Sequence, residues 1–240
     1  MYDNLFQQMG ISTSTHDDLL TAAATNDIEK ARKAINDGVD VNYIPRDKSV
    51  LFVAIENKCK EIVDLLLENS VNVNRGNRIN WTPLHEAINQ NDFEMADKLI
   101  RHNASLYTCD HDDVSPLFLT IKNKNFDFLK SILDKNPEYI EAKNSEGDNL
   151  LAQSIQIRDM EAVQLLMSYN PDLNIVNNAQ QTITEIAQTW PEILPVLKTE
   201  AMIKEEKAQK QQVEAEEIKK QLEQESLLGI TKISKKKRSF

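Results

Sequence analysis

Apolar residues recur along this chain as pairs of short runs divided by polar loops. The first run of each pair reads SVLFVAI at 49–55, TPLHEAI at 82–88, SPLFLTI at 115–121 and NLLAQSI at 149–155. Looser versions, DLLTAA at 18–23 and TITEIA at 182–187, keep the same register. The small residue of each copy falls at Ala22, Ala54, Ala87, Thr120, Ser154 and Ala187, spaced by 32 to 34 residues. A fixed period in this range means stacked supersecondary units, each needing a neighbour to bury its apolar face.

The second run of each pair is IEKARKAI (28–35), EIVDLLL (61–67), FEMADKLI (93–100), FDFLKSIL (126–133) and MEAVQLLM (160–167). Apolar residues at i, i+3 and i+4 predict an amphipathic helix for each. A candidate stop residue follows: Gly38, Ser70, Asn103, Asn136 and Asn170. Gly and Asn tolerate the left-handed conformation that ends a helix. Short segments such as VDVN (39–42) and VNVN (71–74) come next, then a polar loop. The unit is therefore a short helix, a longer helix and a projecting loop. Its predicted core is Leu51, Ile55, Leu66, Leu84, Ile88, Leu99, Leu117, Ile121, Ile132, Leu151, Ile155 and Leu166.

This pattern resembles the ankyrin repeat, and TPLHEA at 82–87 matches that family's signature almost letter for letter. The resemblance runs over residues 17–197 as six copies, bounded at about 17–48, 49–81, 82–114, 115–148, 149–181 and 182–197. It implies an all-α solenoid of helix-turn-helix units with β-hairpin loops. The first copy lacks the Thr-Pro start. The last places Pro191 and Pro195 where its second helix should run, which predicts a shortened cap. The resemblance also implies that Thr82 and His85 fix the first helix by hydrogen bonds. Thr82 stands where an N-cap belongs and Pro83 in the first turn. Other copies carry Leu20, Phe52, Phe118 and Ala152 at the His85 position, so a catalytic role for this histidine is not expected.

Composition narrows the function. There are 5 glycines in 240 residues and no phosphate-cradling Gly loop, no paired-His zinc helix and no Gly-x-Ser-x-Gly. Cys59 and Cys109 are far apart and in no metal-type spacing, which fits a reducing compartment. The N-terminus does not read as a secretory signal, and no apolar run is long enough to predict a membrane span. Net charge is −10, and the surplus of acid lies before residue 198. An acidic body is a poor ligand for nucleic acid, which is bound through clustered cations. The densest set of potential metal ligands is His102, Cys109, Asp110, His111, Asp112 and Asp113. It offers a lone Cys-x-His rather than the two pairs a zinc site favours. No catalytic residue, metal or cofactor is expected.

Partners of ankyrin proteins usually lie against the concave face, on loop tips and exposed positions of the first helices. Trp, Tyr and Arg are common interface anchors. The partner-binding candidates are Tyr43, Arg46, Arg78, Trp81, Tyr107, Asp110, His111 and Asp112. Arg46, Arg75 and Arg78 give way one loop later to Asp110, Asp112 and Asp113, a change of sign that could orient a protein partner. Asn42, Asn74 and Asn174 match positions hydroxylated in some animal ankyrin proteins, but the preferred reading is that they stabilise the loops.

After residue 197 the texture changes. Residues 198–228 are good helix formers with i,i+4 pairs such as Glu216 and Lys220, and predict a charged helix. Tested as a coiled coil, its seam is too polar to specify a dimer, so a monomer is expected. Residues 229–240 are basic, with Lys235–Arg238 a candidate nuclear-import signal or weak contact to anionic lipid, and are expected to be disordered. A soluble ankyrin array ending in a Glu-rich segment resembles bacterial effectors delivered by type IV secretion, as in Legionella. That resemblance implies a host protein partner and a host cytosolic location. The alternative is an endogenous eukaryotic ankyrin adaptor, cytoplasmic or nuclear.

Overall fold

In a computed structural model, residues 13–43, 47–198 and the single position 220 are described. Of the described residues, those up to Trp190 make one compact unit and those from Pro191 belong to another. Residues 1–12 of the N-terminal segment expected at 1–16, the basic end and nearly all of the expected charged helix lie outside the described residues, whereas Thr13–His16 belong to the first helix and Lys220 itself is helical.

The first unit is built of helix pairs: α1 (Thr13–Thr25) with α2 (Ile28–Asn36), α3 (Val50–Glu56) with α4 (Lys60–Glu68), and α5 (Pro83–Asn89) with α6 (Phe93–Arg101). Then come α7 (Pro116–Lys122) with α8 (Phe126–Lys135) and α9 (Leu150–Gln156) with α10 (Met160–Met167). The short α11 (Ile183–Ala187) ends the series. First helices stack in a row, α1 on α3, α3 on α5, and onward to α11, while α2 packs on α4 and α8 on α10.

Local sequence explains why the elements start and stop where they do. Ser49, Thr82, Ser115, Asn149 and Thr182 each accept a hydrogen bond from a backbone N–H of the first turn they precede. This satisfies donors that a helix start leaves unpaired. Between the two helices of a pair the chain turns through one left-handed residue: Asn26, Lys58, Asn91, Lys124 and Arg158, with φ of 55 to 59°. The predicted stop residues Gly38, Ser70, Asn103 and Asn170 are likewise left-handed.

Asn136 also ends its helix, α8, but is not left-handed. Its φ is −142°, because Pro137 follows it and disfavours helical conformations in the preceding residue. The chain continues into a 3-10 turn over Pro137–Glu141 instead. In the last copy α11 has five residues and the second helix is replaced by a 3-10 turn at Pro191–Ile193.

All twelve predicted core residues are buried. They line the interfaces between pairs, so each repeat is stabilised mainly by its neighbours. Outside them, ion pairs join successive second helices, including Lys60 to Glu94, Lys98 to Asp64 and Lys135 to Asp97. These pairs are exposed and each contributes little.

Candidate protein-binding face

The projecting loops are small rigid fingers. Four share one turn, centred on Asn77, Asp110, Asn144 and Asn177. In each, the side-chain oxygen accepts from the backbone N–H four residues on, at 2.8–3.0 Å. The backbone N–H of the same residue donates to the carbonyl of that later residue at 3.0–3.1 Å. The residue three on is left-handed in every case: Asn80, Asp113, Gly147 and Gln180. Asp and Asn are suited to such turns because a short side chain can hydrogen-bond the following backbone. Hairpin ladders are reduced accordingly, with isolated antiparallel bridges at Lys143–Asn149 and Val176–Thr182.

The fingers are also stitched to one another. Asn80 Nδ2 donates to the Cys109 carbonyl at 2.6 Å, and the His111 N–H donates to the Ile79 carbonyl at 3.0 Å. The Ser145 N–H reaches Asp113 Oδ1 at 3.0 Å, and Asn178 Nδ2 reaches the Ser145 carbonyl at 2.8 Å. At the finger bases, Asn42 Oδ1 accepts from the Asn72 N–H and Asn74 Oδ1 from the Ser105 N–H, both at 2.7 Å. Asn42 and Asn74 thus do the loop-stabilising work expected of them.

His85 is part of this scaffold. It is fully buried. Its Nδ1 accepts from the Thr82 N–H at 3.0 Å, which leaves the ring proton on Nε2 to donate to the Val114 carbonyl at 2.9 Å. Burial lowers its pKa, so the ring is held neutral. With both nitrogens engaged by backbone, the ring joins a helix start to the next finger.

The partner-binding candidates are distributed along the finger face. Trp81 is half-buried, stacked on His85 at 4.8 Å, and its Nε1–H donates to Glu86 Oε2 at 3.1 Å. It is therefore a fixed wall more than a free anchor. Arg78 is exposed and ion-paired with Asp47. Tyr43 is half-buried with its ring 4.3 Å from that of His16. Tyr107 is exposed and meets Tyr139 edge-on at 5.4 Å; partial burial, with Tyr139 beside it, raises its pKa to about 12. His111 and Asp112 are exposed at a finger tip whose turn Asp110 holds. Arg46 lies outside the described residues.

Neighbouring Cys109 has its pKa raised to about 11, by burial first and then by the Asp113 carboxylate. The thiol stays protonated at neutral pH and is a poor nucleophile. Among the described residues, no three His, Cys, Asp or Glu side chains are grouped so as to hold a metal ion. No described helix is long and apolar enough to cross a membrane.

Two grooves open on the fingers. One, of about 470 Å³, is lined by Asn72, Asn74, Arg75, Asn77 and Arg78, with Asp47 at its edge. The other, of about 430 Å³, is lined by Asp112, Asp113, Glu146 and Asp148, with Phe118 from α7 and Ile157 from the turn after α9. Glu146, Asp148 and Ile157 were not among the candidates read from sequence. The signal for Glu146 and Asp148 was a loop, AKNSEGD at 142–148, that offers no aromatic or Arg anchor.

Stacked helix pairs carrying a row of turn-locked fingers define an all-α solenoid. The family model for ankyrin repeats (3 copies) matches residues 19–110. The chain is similar to the putative ankyrin repeat protein FPV031 of fowlpox virus, 27% identical over 160 residues, covering 63% of this chain and 47% of that protein. It is also similar to mouse Rabankyrin-5, 27% identical over 149 residues, covering 62% of this chain and 13% of the relative. It thus spans less than half the length of these curated relatives. Among solved structures, the ankyrin repeat protein EF0377 superposes with a TM-score of 0.59 at 24% identity, over 75% of this chain and 96% of that one. A structure of the Bdellovibrio bacteriovorus predatory endopeptidase Bd0816 in complex with the immunity protein Bd3460 gives 0.55 at 24% identity, over 73% and 92%. These likenesses show the fold.

Proposed function

We propose that the chain binds a protein partner across its finger face, using Tyr43, Arg46, Arg78, Trp81, Tyr107, Asp110, His111 and Asp112. Ankyrin repeats are protein-interaction modules, and the single observation supporting a pre-organised surface here is the stitching of successive fingers by Asn80, Asp113 and Asn178. A surface fixed before binding loses less entropy on association. The change of charge along the face, from Arg75 and Arg78 to Asp112 and Asp113, would set the partner's orientation.

Affinity capture with the full chain tests this reading, against a variant carrying Arg78→Ala and Trp81→Ala. Circular dichroism melts establish that both baits are folded. A protein held by the unaltered chain and lost from the double variant is the expected result. Equal capture by both overturns the assignment of the face.

The narrower proposal is a bacterial effector acting on a host protein as a monomer, exported through its Glu-rich 198–228 stretch. Its support is the composition of that stretch, with Glu200, Glu205, Glu206, Glu214, Glu216, Glu217, Glu223 and Glu225. A translocation reporter fused to residues 198–240 should enter host cells only from bacteria with an intact type IV apparatus. Transfer without that apparatus refutes it.

A further inference from the structure

Asp148 breaks the pattern of its own repeat. The residue four places after each finger-turn centre is Trp81, Val114, Asp148 and Gln181 in successive copies. Three are apolar or neutral and one is a carboxylate. Asp148 is nonetheless only 5% exposed. Its Oδ1 accepts from Asn177 Nδ2 at 2.9 Å and its Oδ2 from Gln156 Nε2 at 2.8 Å. Its backbone carbonyl accepts from Gln153 Nε2 at 3.0 Å. All three partners are neutral amides.

A buried carboxylate is costly unless it is paired with a cation. The fold elsewhere obeys that rule: Asp159, equally buried, is ion-paired with Lys124. Around Asp148, the described lining of the groove contains Asp112, Asp113 and Glu146 and no Lys or Arg. The same groove has an aliphatic side. Ile157 is 47% exposed, unusual for a large apolar residue in this fold, and Phe118 lies beside it.

We propose that this groove receives an arginine side chain from the protein partner, a deepening that rests on the protein-binding reading above. The guanidinium would lie between Glu146 at the rim and Asp148 at the floor, and the aliphatic stem would run along Ile157. Arginine is favoured over lysine because its planar fork is pre-organised for carboxylates and is more weakly hydrated, so it enters a partly closed groove at lower cost. Charge complementarity selects the occupant: four carboxylates and an apolar wall match a long cationic side chain and repel an acidic one.

Nuclear magnetic resonance on the full chain tests the proposal. The probe is the peptide Ac-Gly-Ile-Arg-Ile-Gly-NH2, with its citrulline counterpart as the neutral isostere. The arginine peptide should shift the side-chain amide signals of Gln156 and Asn177, and the citrulline peptide should leave them in place. Glu146→Gln and Asp148→Asn should each weaken the arginine peptide by about tenfold. Glu146 is exposed, so its variant keeps the test valid should Asp148→Asn unfold the finger. Equal shifts with both peptides, or amides unmoved by the arginine peptide at saturation, overturn the proposal. If a captured partner is lost with Arg78→Ala and Trp81→Ala but is retained fully by both groove variants, the arginine pocket fails and the binding module stands.

Discussion

His85 and Val114 lie 29 residues apart, in neighbouring repeats, and the His85 Nε2–H donates to the Val114 carbonyl at 2.9 Å. This bond couples the start of α5 to the finger that leads into α7. Replacing His85 by Ala removes it together with the Thr82 bond, leaving the buried Thr82 N–H unpaired and the Val114 carbonyl with only the Asp110 N–H, beside a cavity. The expected loss is about 3 kcal/mol, read by urea denaturation. A loss under about 0.5 kcal/mol would mean the bond is replaceable by water.

The same histidine gives a pH dependence with a definite sign. Burial lowers its folded pKa below the ordinary 6.5. The unfolded chain therefore binds a proton that the folded chain refuses. The stabilisation is fully present above pH 6.5 and is lost as pH falls from there toward the folded pKa. Denaturation at pH 7.5 and pH 5.5 should show a smaller gap between the native chain and His85→Ala at the lower pH. An unchanged gap would remove the titration from the account.

Leu99 is fully buried in α6 and belongs to the predicted core. Leu99→Asp puts an unpaired charge between repeats, and the array should lose its cooperative melting transition. A melt like that of the native chain would contradict the packing register.

Gly147 has φ of +79°, and a Cβ there would stand 2.6 Å from Asn178 Oδ1 and 2.9 Å from the Asn178 backbone nitrogen. Gly147→Ala should cost about 1–3 kcal/mol. Adding Asn178→Ala should recover only part of that loss, because the backbone contact and the strained φ remain. Complete recovery would assign the whole effect to the side-chain clash.

Much of this fold was legible in the sequence because its information is periodic. The recurring small residue, the Ser, Thr or Asn before each first helix and the apolar stripe of each second helix are local signals repeated five or six times. Asn136 ends its helix as expected but is not left-handed, because Pro137 restricts the residue before it. The site was less legible, for a physical reason. Trp81 reads as an interface anchor by type, yet its ring is held by His85 and Glu86, a contact that follows from the turn at Asn77. Asp148 reads as an ordinary loop acid, and only its burial among Gln153, Gln156 and Asn177 singles it out.

The central claim is that a protein partner covers the fingers. Hydrogen–deuterium exchange on the full chain, with and without a partner recovered by capture, measures that most directly. The account predicts slowed exchange in residues 72–81, 108–114 and 142–148, with the second helices α4, α6 and α8 unchanged. Protection confined to those second helices, with the fingers exchanging as in the free chain, would contradict it.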